Sequence, residues 1–212
     1  MPRLDDTRGQ IALAFAAIVA GILYPLGFAP IGWWPLTLLS LAIFIGITRW
    51  SVRPVLTGFL FGLGLFGAGA SWVYVSIHDF GHAAWPIAGM LTALFVIYLA
   101  LYPALSVFFF RRLEHWIPVH DKPLMWALIW CLLEAVRSEL FGGFGWLRAG
   151  YSLTTQPWGA WAPVIGEAGI LFFVVLSAAL VGLNSKSRTS WLLVAMFWIA
   201  GPVLDRLRWS AP

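Results

Sequence analysis

The sequence predicts an all-α protein, a polytopic bundle of about seven transmembrane helices with the amino terminus inside the cell and the carboxyl terminus outside. Three observations carry this. Of the 212 residues, 61% are hydrophobic, only 10% are charged and 14 are Trp, a balance that water-soluble domains do not reach. The apolar residues fall in runs about as long as the roughly 20 residues needed to cross about 30 Å of hydrocarbon. The basic residues gather in the short gaps on alternate sides of those runs.

The first run, 11–26, follows Arg3 and Arg8 and has the outline of a signal peptide. A second apolar run follows closely, so it reads as a retained helix. The second, 34–48, is short and ends at Arg49 and Arg53. The third, 54–74, sets Gly58, Gly62, Gly64, Gly67 and Gly69 among Leu and Phe. Small residues let helices approach closely in lipid, where no hydrophobic drive brings them together, so this reads as a packing surface. The fourth run, 84–110, stops at Arg111 and Arg112, and a polar loop with Glu114, His115, His120 and Asp121 leads to the fifth, 123–141. A Gly- and Trp-rich stretch, 142–159, precedes the sixth run, 160–183. The seventh, 191–207, follows a polar linker; its apolar part, 191–204, rises only about 21 Å and needs flanking residues to span. All 212 residues are thus expected to form one transmembrane domain with no soluble catalytic domain.

With the amino terminus inside, the inner loops collect Arg3, Arg8, Arg49, Arg53, Arg111, Arg112, Lys122, Lys186 and Arg188, nine of the thirteen Lys and Arg residues. The outer side has Arg148, Arg206 and Arg208, and Arg137 lies within a helix. The formal charge of +4 therefore reads as a topology signal, and no nucleic-acid partner is expected. The bilayer is the expected partner. No internal repeat stands out, which weakens a secondary-transporter reading.

On this topology the outer side receives three aromatic, Gly-rich segments, at 27–34, 71–81 and 143–152. An interfacial aromatic belt explains part of this. The fifth run carries Glu134 and Arg137, three apart on one helical face and in its outer half. Such residues in a membrane pair with one another or face a polar cavity. Two readings follow: an ion pair that orients the helix, or an Arg137 whose planar donor fork holds a phospholipid phosphate. Glu139 and Glu167 are expected to reach solvent at helix ends. His78, Asp79 and His82 lack a fourth ligand and read as solvated loop chemistry, so no metal is expected. There is no Gly-rich phosphate loop, no Ser, His and Asp constellation and no CxxC pair, and no cofactor is expected.

The segments GFAP with WWPL, GLFGAG, SWVYVSIHDFG, the E-x-x-R of Glu134 and Arg137, GF-x-W-L and GYS occur here in an order and spacing that resemble the bacterial apolipoprotein N-acyltransferases. The resemblance runs from about Gly21 to Pro212. Gly145 departs from it, where the family usually has proline, as does Glu139, where an aromatic is common. It implies a multi-pass protein of the bacterial inner membrane and a reaction on the periplasmic side. There an acyl chain moves from a phospholipid to the amino-terminal cysteine of a diacylated lipoprotein. It also implies a thioester on a cysteine served by a glutamate and a lysine, all on a nitrilase-like domain that would begin near the end of this sequence.

The residues agree with that division. The one cysteine, Cys131, lies deep in the fifth run, and the two lysines, Lys122 and Lys186, lie on the inner side, so no Glu, Lys and Cys site forms at the outer face. No catalytic residue is assigned, and the chain alone is expected to be inactive. Trp72, Tyr74, Glu134, Arg137, Phe144, Trp146 and Tyr151 are the expected lipid- or substrate-binding residues. Phospholipid acyl donor, lipoprotein and a separate nitrilase-like polypeptide are the expected partners. The alternative is a stand-alone, non-catalytic membrane protein that binds phospholipid or lipoprotein.

Overall fold

The computed structural model describes residues 7–206; Arg3, Arg208 and the last residue of the seventh predicted run lie outside them. The described residues are helical throughout their regular structure, with no strand among them. In chain order the helices are α1 (Thr7–Leu23), α2 (Trp34–Thr48), α3 (Pro54–Gly69), the single turn α4 (Val73–Val75), α5 (Trp85–Leu113), α6 (Lys122–Glu139), α7 (Ala162–Gly182) and α8 (Arg188–Leu204). Proline opens the first turn of α2, α3, α5, α6 and α7, where its missing N–H costs no helical hydrogen bond and its fixed φ favours the helix. At the start of α8 the Ser187 hydroxyl instead accepts from the Ser190 amide.

Among the described residues, three helical stretches are long and apolar enough to cross a membrane: Thr7–Gly27, Trp85–Leu113 and Pro157–Gly182. Pro54–Gly69 and Val73–Phe80 add a fourth if this pair, bent by 58°, is one span. Trp34–Thr48 and Arg188–Leu204 are apolar but shorter. α6 is set apart by its charges, Lys122, Glu134, Arg137 and Glu139. The third predicted run, 54–74, breaks after Gly69, and the chain continues through α4 into a π turn, Ser76–Phe80. His78 and Asp79 therefore sit on a helical turn and not on a loop.

The outward surfaces are apolar. Ile11, Phe15, Val19 and Ile22 form one exposed stripe on α1, and Leu192, Met196, Ile199 and Val203 form another on α8. Contiguous apolar faces of this extent are unfavourable in water and neutral against lipid tails. Inside, Phe44 stacks on Phe61 at 4.1 Å between centroids, and Phe110 stacks on Trp126 at 4.8 Å. α7 runs through this core, with Val174 to Leu180 all buried.

Helix contacts follow the glycines of α3. A Cβ on Gly64 would lie 2.3 Å from the Ile18 carbonyl of α1, and one on Gly62 would lie 2.7 Å from Ala100 Cα of α5. Backbones this close leave no room for a larger residue, so α3 is wedged between α1 and α5.

The two ends of the bundle differ. At one, short turns are tied together: Gln10 donates to the Trp50 carbonyl, Arg49 to that of Gly182 and Arg111 to that of Thr48. At the other lie three long irregular segments, 24–33, 70–84 and 140–161. The Tyr24 hydroxyl donates to the Leu147 carbonyl at 3.0 Å, linking the first of these to the third.

Candidate functional site

The aromatic, Gly-rich segments converge around the carboxyl end of α6. Glu134 and Arg137 face inward from this helix, 6% and 1% exposed. The Arg137 guanidinium binds the Glu134 carboxylate through Nη2, and through Nη1 it donates to the carbonyls of Phe144 and Trp146, the latter at 2.9 Å. Its charge also lies over the rings of Phe66 and Phe144, 5.3 and 5.8 Å from their centroids. The orienting ion pair weighed from sequence is therefore formed. Arg137 Nη1 is thus given to the carbonyls of its own loop, while Nε is buried without a hydrogen-bond partner.

The loop is shaped to make those contacts. α6 ends at Glu139, after which Phe141, Gly142, Gly143 and Leu147 all take positive φ. This turns the chain back so that the Phe144 amide donates to the Arg137 carbonyl at 2.9 Å. Two of the four are non-glycine residues held in a region that L side chains rarely adopt. Leu147 is held by burial and by the Tyr24 hydrogen bond to its carbonyl, whereas Phe141 is 85% exposed.

A second ion pair fastens the following segment. Arg148 Nη2 lies 2.6 Å from Glu167 Oε2, and Arg148 Nη1 donates to the Ser138 hydroxyl at 3.2 Å. Glu167, expected to reach solvent, is instead mostly buried against Arg148. Gly150 makes room for it: a Cβ there would lie 2.4 Å from Glu167 Oε1. Further along, Trp158 and Trp161 donate to the carbonyls of Trp198 and Phe197, which fixes the 3-10 turn Pro157–Trp161 to α8.

The exposed aromatics stand on this frame. The Trp72 and Trp146 rings approach to 5.8 Å, and the two residues are 46% and 59% exposed. Phe144 meets Phe95 of α5 edge-on at 5.1 Å. Phe95, Tyr98, Leu140, Phe141, Gly143 and Phe144 surround a mainly apolar cavity of about 230 Å³. Tyr74 packs on His78 at 5.4 Å, and Tyr151 is exposed on the 3-10 turn Ala149–Leu153. Of the seven residues chosen from sequence, the structure joins Glu134, Arg137, Phe144, Trp146 and Trp72 in one contact chain. Tyr74 and Tyr151 lie on the adjoining turns.

Tyr24, Phe66, Phe95, Tyr98, Arg148 and Glu167 were not among those seven. Glu167 carried a usable signal, a carboxylate at the sixth residue of an otherwise apolar helix that had to find a partner. Cys131 and Lys122 share α6 but stand about 14 Å apart along its axis, and Lys122 binds Glu114.

Residues 20–180 match the family model for the apolipoprotein N-acyltransferase N-terminal domain. The chain belongs to this family. An apolipoprotein N-acyltransferase of Nitrosomonas europaea is 39% identical over 204 residues, covering 93% of this chain and 41% of that protein. One of Coxiella burnetii is 39% identical over 210 residues, covering 92% of this chain and 42% of that protein. The Pseudomonas syringae pv. tomato protein is similar at 38%, with 92% and 41% covered. The chain thus spans about two-fifths of the length of these relatives. Within the family it corresponds to the helical N-terminal domain, and the ion-paired loop lies inside the matched region.

Proposed function

We propose that this chain is the membrane-spanning part of an apolipoprotein N-acyltransferase in the bacterial inner membrane. It crosses seven times, with the amino terminus in the cytoplasm and the loop-rich end in the periplasm. The distribution of basic residues supports this orientation, because the turns at 49–53, 111–122 and 184–188 all belong to the tied, loop-poor end. α6 is counted as a crossing because its buried charges are paired with each other and with backbone carbonyls.

In this reading the loop-rich end receives lipid laterally and supports a nitrilase-like domain carrying the Glu, Lys and Cys machinery. The chain and that domain together move an acyl chain from phospholipid to the amino-terminal cysteine of a lipoprotein. Trp72, Tyr74, Phe144, Trp146 and Tyr151 line the lipid path, and Glu134 and Arg137 act behind it by holding the loop that presents Phe144 and Trp146. The observation that carries the reading is the exposed Trp72 and Trp146 pair, mounted on an ion-paired loop beside an apolar cavity. Trp rings favour the headgroup level, and a neighbouring apolar space suits an acyl chain.

Purified chain incubated with labelled phospholipid is expected to form no acyl thioester, and co-expression with a nitrilase-like polypeptide is expected to restore transfer. A labelled acyl group on Cys131 would overturn this division of labour. Trp72→Ala with Trp146→Ala is expected to lower the phospholipid that co-purifies, and an unchanged amount would remove both from the lipid path. A carboxyl-terminal reporter is expected to be active only outside the cytoplasm.

A further inference from the structure

The loop-poor end holds a second and larger cavity, of about 710 Å³, between the ends of α2, α5 and α7 and the turns that follow them. Arg49, Arg111, Lys122 and Lys186 line it, together with His120 and, among the described residues, one carboxylate, Glu114. Glu114 answers only part of the charge of Arg111, Lys122 and Lys186: it accepts from Arg111 at 2.8 Å and from Lys122 at 3.3 Å. Nearby, His120 faces Asp121 at 3.3 Å. Arg111 Nε is buried without a hydrogen-bond partner, although Nη1 and Nη2 are occupied by Glu114 and the Thr48 carbonyl. Asn184, Ser185 and Ser187 add polar groups to one wall, while Phe110, Val119 and Leu183 supply an apolar one.

We propose that this cavity is a binding site for a phosphate-bearing anion, distinct from the aromatic lipid path at the opposite end. The positive charge of Arg111, Lys122 and Lys186 beside one carboxylate, together with the nearby hydroxyls, matches the needs of phosphate oxygens. The apolar wall leaves room for the glycerol and first carbons of a lipid. The site lies at a helix-end interface, where basic pockets between membrane helices meet anionic headgroups. The shared chemistry is the phosphate group, whether it arrives on a lipid or free in solution. The inference does not depend on the acyltransferase reading.

The test uses the full chain in phosphatidylcholine nanodiscs, titrated either with phosphatidylglycerol or with inorganic phosphate, and read by native mass spectrometry and thermal unfolding. Lys186→Gln and Lys122→Gln are each expected to weaken binding by about fivefold. Arg53→Gln, at the same end but outside this cavity, is expected to leave binding unchanged. Binding of phosphatidylglycerol alone identifies a lipid headgroup as the source, and binding of inorganic phosphate identifies the free anion. The proposal is overturned if Arg53→Gln weakens binding as much as Lys186→Gln, or if neither ligand distinguishes Lys186→Gln from the unaltered chain.

Discussion

Arg137 donates to the carbonyl of Trp146, nine residues further along the chain, at 2.9 Å. A charge on α6 is thereby spent on the backbone of the segment that follows α6. This couples the price of a buried guanidinium to the shape of an exposed loop: the loop cannot open without leaving Arg137 short of acceptors, and Arg137 cannot be lost without freeing the loop.

Arg137→Ala leaves Glu134 buried without its partner and is expected to destabilise the protein by about 3–5 kcal/mol. Arg137→Lys keeps the charge but loses the planar fork that reaches Glu134 and the loop carbonyls together, so it is expected to fall between. Thermal unfolding in detergent measures the loss, and faster proteolysis within 140–148 reports the freed loop.

Two glycines of the same segment are expected to respond in opposite senses. Gly150→Ala drives a methyl group into Glu167 and is expected to cost about 1–3 kcal/mol. Gly145→Ala meets nothing closer than the Ser138 hydroxyl at 3.7 Å and is expected to be neutral or to stabilise by up to about 1 kcal/mol. The pair of melting temperatures decides this.

A similar contrast holds within α3. Gly64→Ala must push α1 away from the Ile18 carbonyl, whereas a Cβ on Gly67 meets no atom within 4 Å. Gly64→Ala is expected to reduce thermal stability clearly, and Gly67→Ala is expected to leave it unchanged or slightly raised, since Ala favours helix by about 1 kcal/mol over Gly.

Glu114 supplies a pH dependence. Burial raises its pKa, but the hydrogen bonds and charges of Arg111 and Lys122 outweigh burial and hold the carboxyl below its ordinary value. A depressed folded-state pKa means that the contribution is present above the ordinary glutamate range and is lost as pH falls through the folded value. Melting temperature measured from about pH 6 to about pH 3 is expected to fall less steeply in Glu114→Gln than in the unaltered chain. Equal slopes would assign the acid sensitivity to other carboxylates.

The legible part of the site was its chemistry. Glu134 and Arg137 stand three apart on a helix, so their pairing was available from spacing alone, and Trp72 and Trp146 were conspicuous as tryptophans in Gly-rich segments. Their meeting was not available, because 74 positions separate them and the chain between crosses two helices. Arg148 and Glu167 illustrate the same limit: Arg148 read as a basic residue of an outer loop and Glu167 as a solvated charge near a helix end, and only the return of the chain through the turn at Gly150 puts them 2.6 Å apart.

By itself the sequence determined the class: a helical, membrane-embedded chain of the apolipoprotein N-acyltransferase family. That much is local. In lipid each apolar run must satisfy its own backbone hydrogen bonds, which selects the helix whatever lies next to it. The tertiary structure decided what the rare charges do. The positive-φ residues Phe141, Gly142, Gly143 and Leu147 turn two carbonyls onto the Arg137 guanidinium. A buried cation takes the acceptors that the folded backbone delivers, and those are set by the path of the chain in three dimensions.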